Sequence, residues 1–128
     1  MHYLLSQFTR TSFDNTLTNL GVELRKEGFS VLTEINITEA IRKELSKEFG
    51  NYRIIGASHP SITYRALLAD NDIGVMFPCN FVVRELKNGQ IRVSVINPVT
   101  AMRSTRNYKL IDIATEMSFT FKKILERL

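Results

Sequence analysis

Cys79 is the only cysteine in the chain, and it follows Pro78 directly inside the longest uncharged apolar run, Ile73 to Val83. A thiol attacks or binds metal as its thiolate, so a base such as His59 is the partner that thiol chemistry would need. Alternation along the run puts the Cys79 sulfur on the face shared by Phe77 and Phe81, where an apolar setting raises a thiol pKa and makes the group inert. Core packing is therefore the first expectation for Cys79, and a thiol enzyme or redox protein using Cys79 with His59 is the alternative. Zinc is not expected. His59, Cys79 and one of Asp70 or Asp72 are acceptable ligand types, but their spacing is not that of a metal motif. The other candidate chemistry is electrostatic: Arg103, Arg106 and Lys109 form the densest basic patch, a possible anion or nucleic-acid contact, with a solvated loop as the plainer reading.

The chain around these residues has 128 positions, 44% hydrophobic and 23% charged, the composition of an ordinary globular protein. That length suits one domain over residues 1–128, able to bury about two-thirds of its unfolded surface. The net charge is +4 and the pI near 9.4, yet Lys and Arg are dispersed and alternate with Glu, so nucleic acid is not the expected partner. Apolar runs fall well short of the roughly 20 residues of a membrane helix. The opening Met-His-Tyr-Leu-Leu-Ser lacks signal-peptide regions, and a lone cysteine suits a reducing compartment, so a cytoplasmic protein is expected. His2 is read as a frayed end.

The hydrophobic period predicts the elements that must carry these groups. Tyr3 to Thr9 reads as a strand, then Thr11-Ser12 caps a helix with Phe13, Leu17, Leu20 and Leu24 on one face, stopped by Gly28. Phe29, Val31 and Ile35 alternate as a half-buried strand. Asn36 with Glu39 forms a capping box for a second helix, whose stripe runs Ile37, Ala40, Ile41, Leu45 and Phe49. A strand from Tyr52 to Ala57 ends at Ser58-His59-Pro60, where His59 is read as a polar cap before a short helix carrying Ile62, Ala66 and Ala69. Val75, Phe77, Cys79, Phe81 and Val83 are then expected on one face of a strand. A three-residue Lys87-Asn88-Gly89 loop with a left-handed Gly89 pairs Val83 with Val93 and Phe81 with Val95, which keeps both apolar rows on one face. An extra strand from Thr100 to Thr105 is possible. From Asn107 a long helix bears Leu110, Ala114, Met117, Phe121, Ile124 and Leu128, with Lys122, Lys123 and Arg127 suited to its C-terminal dipole. Met117 and Phe121 are read as packing, and part of this stripe as a candidate homodimer seam.

The set Gly56-Ala57-Ser58-His59-Pro60, Ala66-Leu67-Leu68, Ile73-Gly74, Phe77-Pro78-Cys79-Asn80, Asn88-Gly89 and Val93-Ser94-Val95-Ile96-Asn97-Pro98 resembles the domain-of-unknown-function 302 family. The resemblance spans nearly the whole chain. It implies an α+β fold like that of the TATA-binding protein, a curved, mostly antiparallel sheet with helices on one face, often dimeric, and it brings no established activity. Many members read Cys-Asn-Pro where this chain has Ser58-His59-Pro60, so a dithiol pairing with Cys79 is not available here. The resulting expectation is a homodimeric small-molecule or partner-binding domain without cofactor or metal. Its pocket would lie among Ser58, His59, Pro60, Phe77, Pro78, Cys79, Asn80, Asn97 and Pro98. Three proline breaks leave backbone polar groups there without ladder partners.

Overall fold

Alternating apolar residues with Gly and Pro punctuation build a chain of five strands and five helices, seen in a computed structural model that describes residues 3–128. In order these are β1 (Leu4–Thr9), α1 (Phe13–Lys26), β2 (Ser30–Asn36), α2 (Ile37–Leu45), β3 (Tyr52–Ser58) and α3 (Pro60–Ala69). A 3-10 turn (Ile73–Met76) leads into β4 (Cys79–Glu85), β5 (Ile91–Ile96), α4 (Pro98–Arg103) and α5 (Tyr108–Glu126). The strands form one sheet in the order β1-β5-β4-β3-β2, and every pairing is antiparallel. His2, expected to fray, lies outside the described residues.

Registers place Leu5, Val95, Phe81 and Ile55 in one row across the sheet, with Val93 and Val83 in the next row on the same face. Helices α1 and α5 lie against the sheet and α3 packs on α5. Phe121 of α5 meets Phe81 edge-on at 5.2 Å, and Leu20, Leu24, Phe81, Val83, Leu110 and Phe121 are wholly buried. Each large side chain removed from water in this way contributes about 2 kcal/mol to folding.

Local signals hold at the caps and the hairpin. Ser12 Oγ accepts from Asn15 N at 3.1 Å, and Asn36 Oδ1 from Glu39 N at 3.0 Å. Gly28 takes φ +86 after α1, with Gly28 N donating to Arg25 O and Phe29 N to Leu24 O, the paired bonds of a Schellman end. In the β4–β5 hairpin Phe81 pairs with Val95 and Val83 with Val93, and Gly89 sits at φ +87.

Five expectations are corrected. Val31 and Ile35 do not share a face, because an irregularity between Val31 and Thr33 leaves Thr33 opposite Gly56 and sends Ile35 to the side facing away from Phe81. Helix α2 ends at Leu45, where Ser46 turns left-handed, so Phe49 lies beyond it and stacks against Tyr52 instead. Val75 sits in the 3-10 turn and is exposed, because the strand begins only after Pro78. Thr100 to Thr105 forms no strand: Pro98 opens α4 there under an Asn97 cap. The α5 stripe offers no subunit seam, since Leu110, Ala114, Met117, Phe121 and Ile124 are all consumed by the core. Near its end, Lys123 and Arg127 pair with Glu27, the C-cap of α1, at 3.1 and 3.0 Å, so these charges tie two helix ends together as well as facing a dipole. The stripe of α2 behaves oppositely: none of its residues is buried.

Candidate functional site

The end of the sheet where β4 begins and β5 finishes is closed by the 3-10 turn, α4 and α5, and a cavity of about 260 Å³ remains between them. Proline explains why. Pro78 holds the entry of β4 and Pro98 the first turn of α4, so neither backbone can continue a ladder across the gap. Phe77, Pro78, Cys79, Asn80 and Pro98 line this space, five of the positions expected there. Ala101, Met102, Met117 and Phe121 complete the inner wall, while Val75, Met76 and Ile96 stand exposed at the rim.

Four expected positions are elsewhere. Ser58 Oγ bonds Thr63 Oγ1 at 2.8 Å, and Pro60 is the first residue of α3. His59 caps that helix through Nδ1, which accepts from Ile62 N at 3.3 Å, while its ring meets Phe29 edge-on at 5.3 Å. Asn97 Oδ1 accepts from Val99 N at 3.1 Å. Each is spent on starting a helix, so the polar groups expected to gather in a cleft are already satisfied locally.

Cys79 is a free, buried thiol on the face that carries Phe81. Burial alone pushes its pKa up to about 12, so at neutral pH it is a thiol and not a thiolate. The Cys79–His59 pairing needed for nucleophilic chemistry is not formed, because the imidazole is engaged at the start of α3. Among the described residues no group of three His, Cys, Asp or Glu side chains is placed to hold a metal.

Arg103, Arg106 and Lys109 are exposed around the turn between α4 and α5, and none of them lines the cavity. Arg103 ends α4, Lys109 lies in the first turn of α5, and Arg106 sits between them at positive φ. At the opposite end of β4 an open groove of about 1060 Å³ runs between the segment after α2 and the hairpin, lined by Arg42, Arg84 and Lys87 as well as Glu48 and Glu85. Its mixed charges favour no single ligand chemistry.

Sequence reasoning missed Met76, Met102 and Met117 as site residues. Met102 falls in a segment read as strand, and Met117 belongs to a stripe that also serves the core. The available signal was elemental: every sulfur-bearing residue among the described ones lines this one cavity.

A family model described as Domain of unknown function DUF302 matches residues 6–128. The crystal structure of an uncharacterized conserved protein DUF302 from Bacillus stearothermophilus superposes with a TM-score of 0.93. The match covers 99% of this chain and 98% of that one at 23% sequence identity, a likeness of fold. No curated protein matches the chain. Among the described residues no helix is long and apolar enough to cross a membrane.

Proposed function

The chain belongs to the DUF302 family, whose function is not established, and from that premise we propose that it is a binding domain whose guest occupies the cavity beside Cys79. The observation that carries this reading is a preformed space of about 260 Å³ lined without a single charged side chain. Apolar cavities smaller than this stay dry and take up molecules such as benzene. Binding is favoured over catalysis because the thiol is protonated at neutral pH and its candidate base is engaged elsewhere.

A homodimer belongs to the same reading. An amphipathic helix is stable when its apolar stripe is covered, and within the protomer Ile41 of α2 is only half-buried and Leu45 is exposed. Leu32 and Ile35 of the edge strand β2 are exposed as well. The reading also places the protein in the cytoplasm, supported by a single cysteine kept as a free thiol.

Indole is a suitable probe for the cavity. In protein carrying labelled methionine methyl groups, saturating indole is expected to shift the Met102 and Met117 resonances, and Ala101→Trp is expected to abolish the shifts by filling the space. Unchanged resonances in the parent protein would refute an accessible apolar site. Sedimentation at micromolar concentration tests the dimer, and a monomeric parent would remove it.

A further inference from the structure

Four different elements each send one sulfur-bearing side chain to the same cavity: Met76 from the 3-10 turn, Cys79 from β4, Met102 from α4 and Met117 from α5. Packing alone does not call for this concentration, since Leu or Ile would fill the same walls with less side-chain freedom to lose. Thiolate and thioether sulfurs are soft donors, and that ligand class takes monovalent copper or zinc rather than calcium or magnesium. Charge narrows the choice further. The lining holds no Asp, Glu, Lys, Arg or His, so the only charge it can develop is one thiolate. A monovalent cation bound to one thiolate leaves a neutral centre in apolar surroundings, whereas a divalent ion would leave a buried positive charge without a partner.

We propose that the cavity is a monovalent copper site, in which the Cys79 thiolate and the Met102 and Met117 thioethers coordinate Cu(I), with Met76 at the rim as the sulfur that meets the incoming ion. The Cys79 side chain is buried and lines the cavity without being committed to any disulfide, which leaves its sulfur available to a guest. Binding is an exchange with no redox change: the S–H bond breaks, a Cu–S bond forms, the proton passes to solvent, and copper enters and remains as Cu(I). The high cost of a bare thiolate in this setting is the reason the ion and the deprotonated sulfur must arrive together. The assignment deepens the binding reading above, since it rests on the same cavity admitting a guest.

The test is an anaerobic titration of the full chain with Cu(I) against a chromophoric Cu(I) chelator, followed by X-ray absorption at the copper edge. One equivalent is expected to bind in a shell of sulfur atoms. Cys79→Ser is expected to weaken binding about a hundredfold, and Met102→Leu and Met117→Leu, which keep the packing volume, about tenfold each. His59→Ala, which lies outside the cavity, is expected to leave the affinity unchanged. Thermal melts without metal show which variants are folded, and the Met→Leu pair keeps the question answerable if Cys79→Ser is not. A shell dominated by nitrogen or oxygen, or affinities untouched by both Met→Leu changes, overturns the site. A parent chain that takes up indole yet holds no more Cu(I) than Cys79→Ser overturns the metal alone, while a chain that takes up neither overturns the binding reading as well.

Discussion

Helices α1 and α2 are written in the same local code and meet different fates. Each opens on a side-chain cap, Ser12 or Asn36, and each carries an apolar stripe at helical spacing. In α1 the stripe is removed from water, with Leu20 and Leu24 wholly buried beneath the sheet's helix-covered face. In α2 no residue is buried, and Leu45 is exposed. Amphipathicity therefore specifies that a helix has a face to cover, and the topology decides whether the same chain covers it. Helix α1 crosses back over β4, whereas α2 follows the edge strand β2 and reaches only as far as β3.

The comparison is sharpest when the two stripes are cut back in turn. Leu24→Ala should cost about 2–5 kcal/mol in urea unfolding, the range for a fully enclosed leucine that leaves a cavity behind. A cost near zero would mean that α1 is not anchored as described. The two left-handed glycines rank next. A Cβ at Gly28 would stand 2.8 Å from His59 Nε2 at φ +86, while one at Gly89 meets nothing within 4 Å at φ +87. Gly89→Ala should therefore cost only the backbone strain, about 1 kcal/mol, and Gly28→Ala more, because α3's cap must also give way. Equal effects in the same melts would show that the imidazole moves aside freely.

Acid should act on the end of α1 more than on α2. Lys123 first and then Arg127 hold the Glu27 carboxyl below its ordinary range, and Arg65 does the same for Glu116. A carboxylate with a lowered folded pKa stabilises the fold above its unfolded pKa, and that share is lost as the pH falls through the folded value. Urea midpoints should thus decline below the ordinary carboxylate range, and Glu27→Gln should flatten part of the decline. A profile identical to the parent's would mean the Glu27 pairs are too solvent-screened to matter. The smallest effect belongs to Leu45→Ala, which should change protomer stability by less than about 0.5 kcal/mol, as exposed substitutions do. If it also leaves a sedimenting dimer intact, the α2 stripe is not the subunit contact.

Much of the fold was legible because its signals are short-range. Caps at Ser12, Asn36 and His59 each satisfy an amide within three residues, so residue type and spacing suffice to place them. The hairpin register followed from keeping Val83 opposite Val93 on the buried face, since a one-residue slip would turn that row to the other side. The irregularity in β2 escaped because nothing in Val31-Leu32-Thr33 marks it. Its neighbour does: Thr33 lies across from Gly56, and a Cβ there would meet Thr33 Oγ1, a contact visible only once the strands are paired.

The candidate site divides along the same line. Sequence alone determined that Pro78 and Pro98 interrupt regular structure and that the Cys79 thiol faces an apolar row, because proline geometry and strand alternation are local properties. It also determined that His59 precedes a proline in a cap position, whereas the Asn97 cap emerged only with α4. That they are thereby withdrawn from the cavity depended on where α3 and α4 lie. Only the tertiary structure decided that Met76, Met102 and Met117 meet Cys79 around one space, since their approach is fixed by the docking of α4 and α5 on the end of the sheet. A sequence pattern states which face of each element seeks cover; which faces meet, and what is left open between them, is settled by the packing of all the elements at once.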